Sequence, residues 1–177
     1  MSDCFMIVDR MESVTGMTVL GTDTVNLAVS TVSARGTNSI EFDKVDGAAG
    51  TVFAGASKTI DLVNLNEHWF LPHAIIRWHV YVSDTAQSGV AYSFVRLGTD
   101  ASNYAEWRFA DSSIVAGRFT LCSAKLGNCY VTGTGCDFTN IDHLEFGVAF
   151  DAESDALADI KMDYIYLDYT DAGVTIA

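Results

Sequence analysis

Proline is almost absent from this chain: Pro72 stands alone in 177 residues, after His68-Trp69-Phe70-Leu71, where it interrupts no strand ladder. Basic side chains are also scarce, with 10 Lys and Arg against 23 Asp and Glu and a formal net charge of −13. Such a chain repels a phosphate backbone, and no local cluster of Lys or Arg offsets the repulsion, so nucleic acid is excluded as a partner. No apolar run approaches the ~20 residues that cross a bilayer as a helix, and no membrane partner is expected. Met1-Ser2-Asp3-Cys4-Phe5-Met6-Ile7-Val8-Asp9 has no basic n-region, and its apolar run is too short for a signal h-region, so no secretory signal is expected. Sustained helical periodicity is missing, which excludes a parallel α/β fold. The short catalytic signatures GxSxG, HExxH, GxGxxG, CxxC and the P-loop are missing too.

What the chain has is strand-like alternation. Hydrophobic residues make up 49% and charged residues 19%, enough for a real core, and the length suits one domain over residues 1–177. Candidate strands are Thr18 to Leu20, Thr24 to Val32, Ser39 to Asp43, Thr59 to Leu62, Ile75 to Val82, Val90 to Leu97, Tyr104 to Ala110, Arg118 to Ala124, Leu144 to Phe150 and Ile160 to Tyr169. Gly, Asn, Asp and Ser clusters separate them, such as Ala34-Arg35-Gly36-Thr37-Asn38. About ten short strands with such turns predict an all-β fold, an antiparallel two-sheet β-sandwich or jelly roll.

The last two strands carry the clearest pattern. Leu144, Phe146, Val148 and Phe150 alternate with Glu145, Gly147 and Ala149, which is a strand with one buried face. In the following strand Ile160 and Met162 hold one phase while Ile165 and Leu167 hold the other. The slip at Asp163-Tyr164 predicts a β-bulge, a device that can re-aim a carboxylate. Asp151 to Asp159, between the two strands, fails the EF-hand pattern because Ala156 replaces the Gly and Met162 the Glu, so it reads as a solvated hairpin turn.

Other constellations are weaker. Cys122, Cys129 and Cys136 recur at intervals of seven, unlike zinc-site pairs, and read as single thiols, with a Cys129–Cys136 bridge conceivable in an oxidising setting. His68, His73, His79 and His143 show no metal-ligand spacing, although His68 and His73 could meet across their loop. Trp78 falls on the core face of its strand. Tyr92, Phe94 and Arg96 share a face that resembles the Arg77, His79 and Tyr81 side of the preceding strand, and aromatics beside guanidinium groups can form a sugar-stacking platform.

Five segments then follow in a familiar order: Asp9-Arg10-Met11-Glu12, Gly36-Thr37-Asn38-Ser39-Ile40-Glu41-Phe42, Arg96-Leu97-Gly98-Thr99-Asp100-Ala101-Ser102-Asn103-Tyr104, Gly117-Arg118-Phe119, and Asp159 to Leu167. In that order the chain resembles jelly-roll β-sandwiches like carbohydrate-binding modules, a group that includes glycan-binding modules and bacteriophage tail, fibre and capsid-decoration proteins. The Trp common after the Gly of the fourth segment is Phe119 here. The resemblance implies a structural Ca²⁺ tying the first strand to the last, which by position points to Asp9 or Glu12, Gly36 and Asp163 as ligands. Hard oxygen donors from distant strands suit that ion; the alternative is that Asp163 caps backbone at the bulge.

The expected role that follows is a non-enzymatic virion structural protein, such as a capsid-decoration or tail-associated component, located in the virion. Its partners would be other virion proteins, further copies of itself and a surface glycan. The alternative is a carbohydrate-binding module, with Trp69, Tyr92, Tyr104 and Trp107 as glycan-binding candidates. A concanavalin-like glycoside-active enzyme ranks last, because pairs of opposed carboxylates cannot be read from sequence alone.

Overall fold

Alternating side chains build two antiparallel sheets whose apolar faces close on each other. The structure is a computed structural model and describes residues 5–46, 51–63, 74–83 and 89–168; Cys4, His68, Trp69, Pro72 and His73 fall outside these. The strands are β1 (Phe5–Asp9), β2 (Met17–Val19), β3 (Thr24–Ser30), β4 (Ser39–Lys44), β5 (Phe53–Val63), β6 (Ile75–Tyr81), β7 (Val90–Asp100), β8 (Asn103–Ala110), β9 (Thr120–Lys125), β10 (Tyr130–Thr132), β11 (Asn140–Phe150) and β12 (Leu157–Asp168). One sheet runs β3-β4-β12-β6-β9, with β1 also on β12; the other runs β10-β8-β7-β11-β5-β2. The all-β sandwich expected from the sequence is the fold observed.

The core lies between the sheets. From the first come Ile40, Phe42, Ile76, Trp78, Val80 and Met162; from the second come Val95, Leu97, Trp107, Leu144, Phe146 and Val148, all fully buried. Each indole spends its one donor inside: Trp78 Nε1 donates to Ser93 Oγ at 2.9 Å and Trp107 Nε1 to the Leu126 carbonyl at 3.0 Å. That satisfies the demand a buried tryptophan makes for a partner.

The bulge falls at the slip in the apolar phase. Asp163 pairs with His79, but the next pairing toward the chain end is Tyr166 with Arg77, so β12 carries one extra residue. Tyr164 takes the strain at φ 48°.

Several expectations need correction. Asp151 to Ser154 is exposed as expected of a turn, but Leu157 is buried and already in β12, and the segment is not a hairpin: β11 lies in one sheet and β12 in the other, so it crosses between sheets. Lys44 Nζ holds the crossing by donating to the carbonyls of Glu153 at 2.6 Å and Asp155 at 2.8 Å. Likewise β6 and β7 belong to different sheets, so the Arg77, His79 and Tyr81 side and the Tyr92, Phe94 and Arg96 side face opposite ways out of the sandwich. Strand β5 starts at Phe53, not Thr59, because its small residues, weak strand formers alone, are held in register against β11 from Ala149 to Leu144. The stretch after Leu97 is not a long loop: β7 and β8 meet in a tight turn at residues 101–102, where the Asp100 carboxylate accepts the Ser102 and Asn103 amides. Strands β1 and β10 were not expected.

Candidate functional site

The outer face of the second sheet carries a linked set of charged and aromatic side chains. Strand pairing sets side chains there in rows. One row runs Thr18, Ser57, Glu145, Arg96, Glu106 and Tyr130, and the next runs Gly55, Gly147, Phe94 and Arg108. Residues opposite one another on an antiparallel pair interact directly, so this register makes an Arg–Glu ladder unavoidable.

Arg96 is its centre. Its Nε donates to Glu106 at 2.5 Å and its Nη1 to Glu145 at 2.7 Å. Arg108 Nε takes the other Glu106 oxygen, and His143 Nε2 lies 2.9 Å from the other Glu145 oxygen. Glu106 is only 2% exposed and Glu145 5%, and carboxylates are kept charged at such burial only when paired. Burial opposes the charge on Arg96, yet the bond to Glu145 and the two glutamate charges outweigh it and push its pKa above the ordinary value.

Aromatic rings cover the ladder. The Arg96 guanidinium sits 4.4 Å from the Phe94 ring centroid, 4.9 Å from Tyr104 and 5.3 Å from Phe53. Arg108 lies 4.4 Å from Tyr92 and 4.0 Å from Tyr130. Phe94, Leu20 and Ala149 form a small second apolar cluster here, with Phe53 and Tyr92 packed on it. Beside Phe94 the floor is bare: Gly55 and Gly147 face each other, and a Cβ on either would collide with the carbonyl of Phe146 or Ala54 respectively. Burial, reinforced by Glu106, raises the Tyr92 pKa, so its phenol stays a hydrogen-bond donor.

Of the four glycan-binding candidates, Tyr92 and Tyr104 share this face. Trp107 does not: it is 0% exposed, its ring lies in the core, and its donor is spent on Leu126, so it cannot stack on a sugar. Trp69 falls outside the described residues. Sequence reasoning missed Tyr130, which is 58% exposed, and the Glu106–Arg96–Glu145 ladder, because cross-strand register has no signature along the chain.

The four metal candidates divide similarly. Asp9 accepts Lys58 Nζ at 2.7 Å through Oδ2 and the Met11 amide at 2.7 Å through Oδ1. Glu12 and Asp163 both grip the turn at residues 33–38. Glu12 accepts the Thr37 amide at 3.0 Å and its hydroxyl at 2.7 Å, while Asp163 Oδ2 accepts the amides of Ala34 at 2.7 Å and Arg35 at 2.8 Å. Gly36, at φ 74°, supplies both the left-handed backbone and the room Glu12 needs, since a Cβ there would collide with Glu12 Oε1. Burial is the main force raising the Asp163 pKa, with Glu12 adding to it against the two amides.

The second Asp163 oxygen, Oδ1, is buried without a partner. An orphaned carboxylate oxygen is a group that a hard cation can satisfy. Among the described residues no three His, Cys, Asp or Glu side chains converge as a metal cluster, so carbonyl oxygens would have to complete the shell.

A two-sheet sandwich with an aromatic and guanidinium face is the class that fold and site define. No protein-family model matches the sequence, and no curated protein matches it. Solved structures do. The family 11 carbohydrate-binding module of the cellulosomal cellulase Lic26A-Cel5E of Clostridium thermocellum superposes with a TM-score of 0.60 at 13% identity, covering 95% of this chain and 96% of that one. The Clostridium thermocellum family 11 module in complex with a β-1,3-1,4-mixed-linked tetrasaccharide gives 0.59 at 13% identity over 93% and 95%. An exo-β-agarase gives 0.61 at 9% identity, covering 94% of this chain but 25% of that one. At these identities the likeness shows a β-sandwich of the carbohydrate-binding-module type, a shared fold.

Proposed function

We propose that this domain is a non-catalytic glycan-binding module whose ligand lies along the outer face of the second sheet. The observation that carries the reading is the Glu106–Arg96–Glu145 ladder roofed by Tyr92, Tyr104 and Phe53, with Tyr130 and Arg108 at its edge. Sugars present apolar ring faces and vicinal hydroxyls, and a ligand site pairs apolar and aromatic lining with a few fixed polar groups. Here the rings offer stacking faces and the terminal nitrogens of Arg108 offer planar donors, while the buried Glu106–Arg96–Glu145 ladder holds them in place. The fold likeness to carbohydrate-binding modules supports the same reading and favours it over the virion role. Within this proposal Glu12, Asp163 and the Gly36 carbonyl hold a structural Ca²⁺ that ties the first connection to the last strand, supported by the orphaned Asp163 oxygen.

Isothermal titration against a panel of soluble polysaccharides tests the binding. Saturable binding that weakens about tenfold or more in Tyr92→Ala, some 1.4 kcal/mol, is the expected result. A panel without any binder, together with a stable symmetric oligomer by light scattering, would return the assembly reading to first place.

A further inference from the structure

At the edge of the candidate face an open cleft of about 610 Å³ lies between β7, β8 and β10 and the neighbouring edge strand β9, lined among others by Tyr92, Arg108, Ala110, Lys125, Asn128 and Tyr130. The chain carries 23 acidic and 10 basic side chains, yet among the described residues no carboxylate lines this cleft and two bases do. In so acidic a protein that inversion of sign is a local property of the site.

The two bases are also the ones left with capacity. Among the described residues Arg108 donates only through Nε, to Glu106, which leaves its terminal nitrogens without an acceptor there, and the guanidinium lies over the rings of both Tyr92 and Tyr130. Lys125 is exposed, and its ammonium has no carboxylate or hydrogen-bond partner among the described residues. Arg96 and Arg108 balance Glu106 and Glu145, which leaves Lys125 as the uncompensated charge. A ligand anion here meets a forked donor and a point charge at once, the pairing that recognises carboxylate and sulfate groups.

Resting on the glycan-binding reading, we propose that the ligand is an anionic polysaccharide, whose carboxylate or sulfate lodges between Arg108 and Lys125 while a sugar ring packs against the flanking tyrosines. The net negative charge of the chain does not forbid this, because exposed charges beyond about 8 Å are largely screened at physiological ionic strength. Contact pairs decide the affinity.

The test is titration of the purified domain with polygalacturonate, alginate, glucuronoxylan and chondroitin sulfate, with a carboxyl-reduced, neutral form of the best carboxylated binder, and with neutral β-glucan and xylan. The expected result is that one acidic polymer binds at least about tenfold more tightly than any neutral one, and that Lys125→Gln, an exposed substitution, removes most of that advantage. Chondroitin sulfate carries both groups, so its desulfated form, which keeps the carboxylate, decides between them: affinity lost on desulfation identifies sulfate as the group taken, and affinity kept identifies carboxylate. Equal affinity for acidic and neutral polymers, or an acidic preference untouched in Lys125→Gln, overturns this inference while leaving glycan binding standing. No binding to any polymer overturns both.

Discussion

Replacing Arg96 with methionine tests the ladder that organises the candidate face. Among the described residues the guanidinium is the only group hydrogen-bonded to both Glu106 and Glu145, which are 2% and 5% exposed. Removing one partner of a buried ion pair costs about 3–5 kcal/mol, because the carboxylate left behind stays out of water without compensation. Each glutamate keeps one partner in the variant, Arg108 for Glu106 and His143 for Glu145, which places Arg96→Met near the low end, at about 3 kcal/mol. Urea unfolding followed by tryptophan fluorescence reads the loss directly.

A triple variant supplies the control. Arg96→Met/Glu106→Gln/Glu145→Gln should recover most of the gap at neutral pH, because it leaves no buried carboxylate without its guanidinium. A loss below about 1 kcal/mol, the scale of an exposed ion pair, or a gap that the triple variant does not narrow, would refute the argument that this is a buried, mutually dependent set of charges.

Other outcomes follow from the same physical terms. Asp163→Ala strips the amides of Ala34 and Arg35 of their charged acceptor and should cost about 1.5–3 kcal/mol, the range of hydrogen bonds to a charged group; in wild type, added Ca²⁺ should raise the melting temperature and EDTA reverse it, and an unchanged melt would remove the calcium proposal. His79 is held neutral by burial, with Arg35 opposing its charge, and its pKa falls from 6.5 to about 4. The unfolded chain then binds the extra proton between those values, so stability is lost as pH falls through that window, by at most about 3 kcal/mol; His79→Gln should flatten the profile there. Trp107→Phe removes the bond to Leu126 and should lower stability by about 1–2 kcal/mol without weakening glycan affinity, and a large loss of affinity would restore Trp107 to the site.

The fold was legible in the sequence where burial imposes a period. Leu144, Phe146, Val148 and Phe150 alternate in the sequence because that face of β11 meets the core, although Glu145, Gly147 and Ala149 on the other face are buried too, and the phase slip at Asp163-Tyr164 marks the bulge because an extra residue must flip the pattern. Sheet assignment was not legible. Two strands adjacent in sequence look alike whether they pair or cross between sheets, and the crossing after β11 depends on Lys44 reaching carbonyls more than 100 residues away. The site was half legible: Tyr92 and Tyr104 stand on the face expected of them, whereas Trp107 has the composition of a ligand platform and the environment of a core. Glu145 read as an ordinary polar alternation, and only its register opposite Arg96 makes it part of a ladder.

The central claim is that the outer face of the second sheet is where a saccharide binds. Amide chemical-shift mapping of the isotope-labelled domain, titrated with oligosaccharides of the best-binding polymer, measures it directly. The predicted result is perturbation concentrated at Phe53, Tyr92, Arg96, Tyr104, Arg108, Tyr130 and Glu145, lost together in Tyr92→Ala. Saturable shifts confined to the opposite sheet around Arg77, His79 and Tyr81, or none on titration with any oligosaccharide, would contradict it.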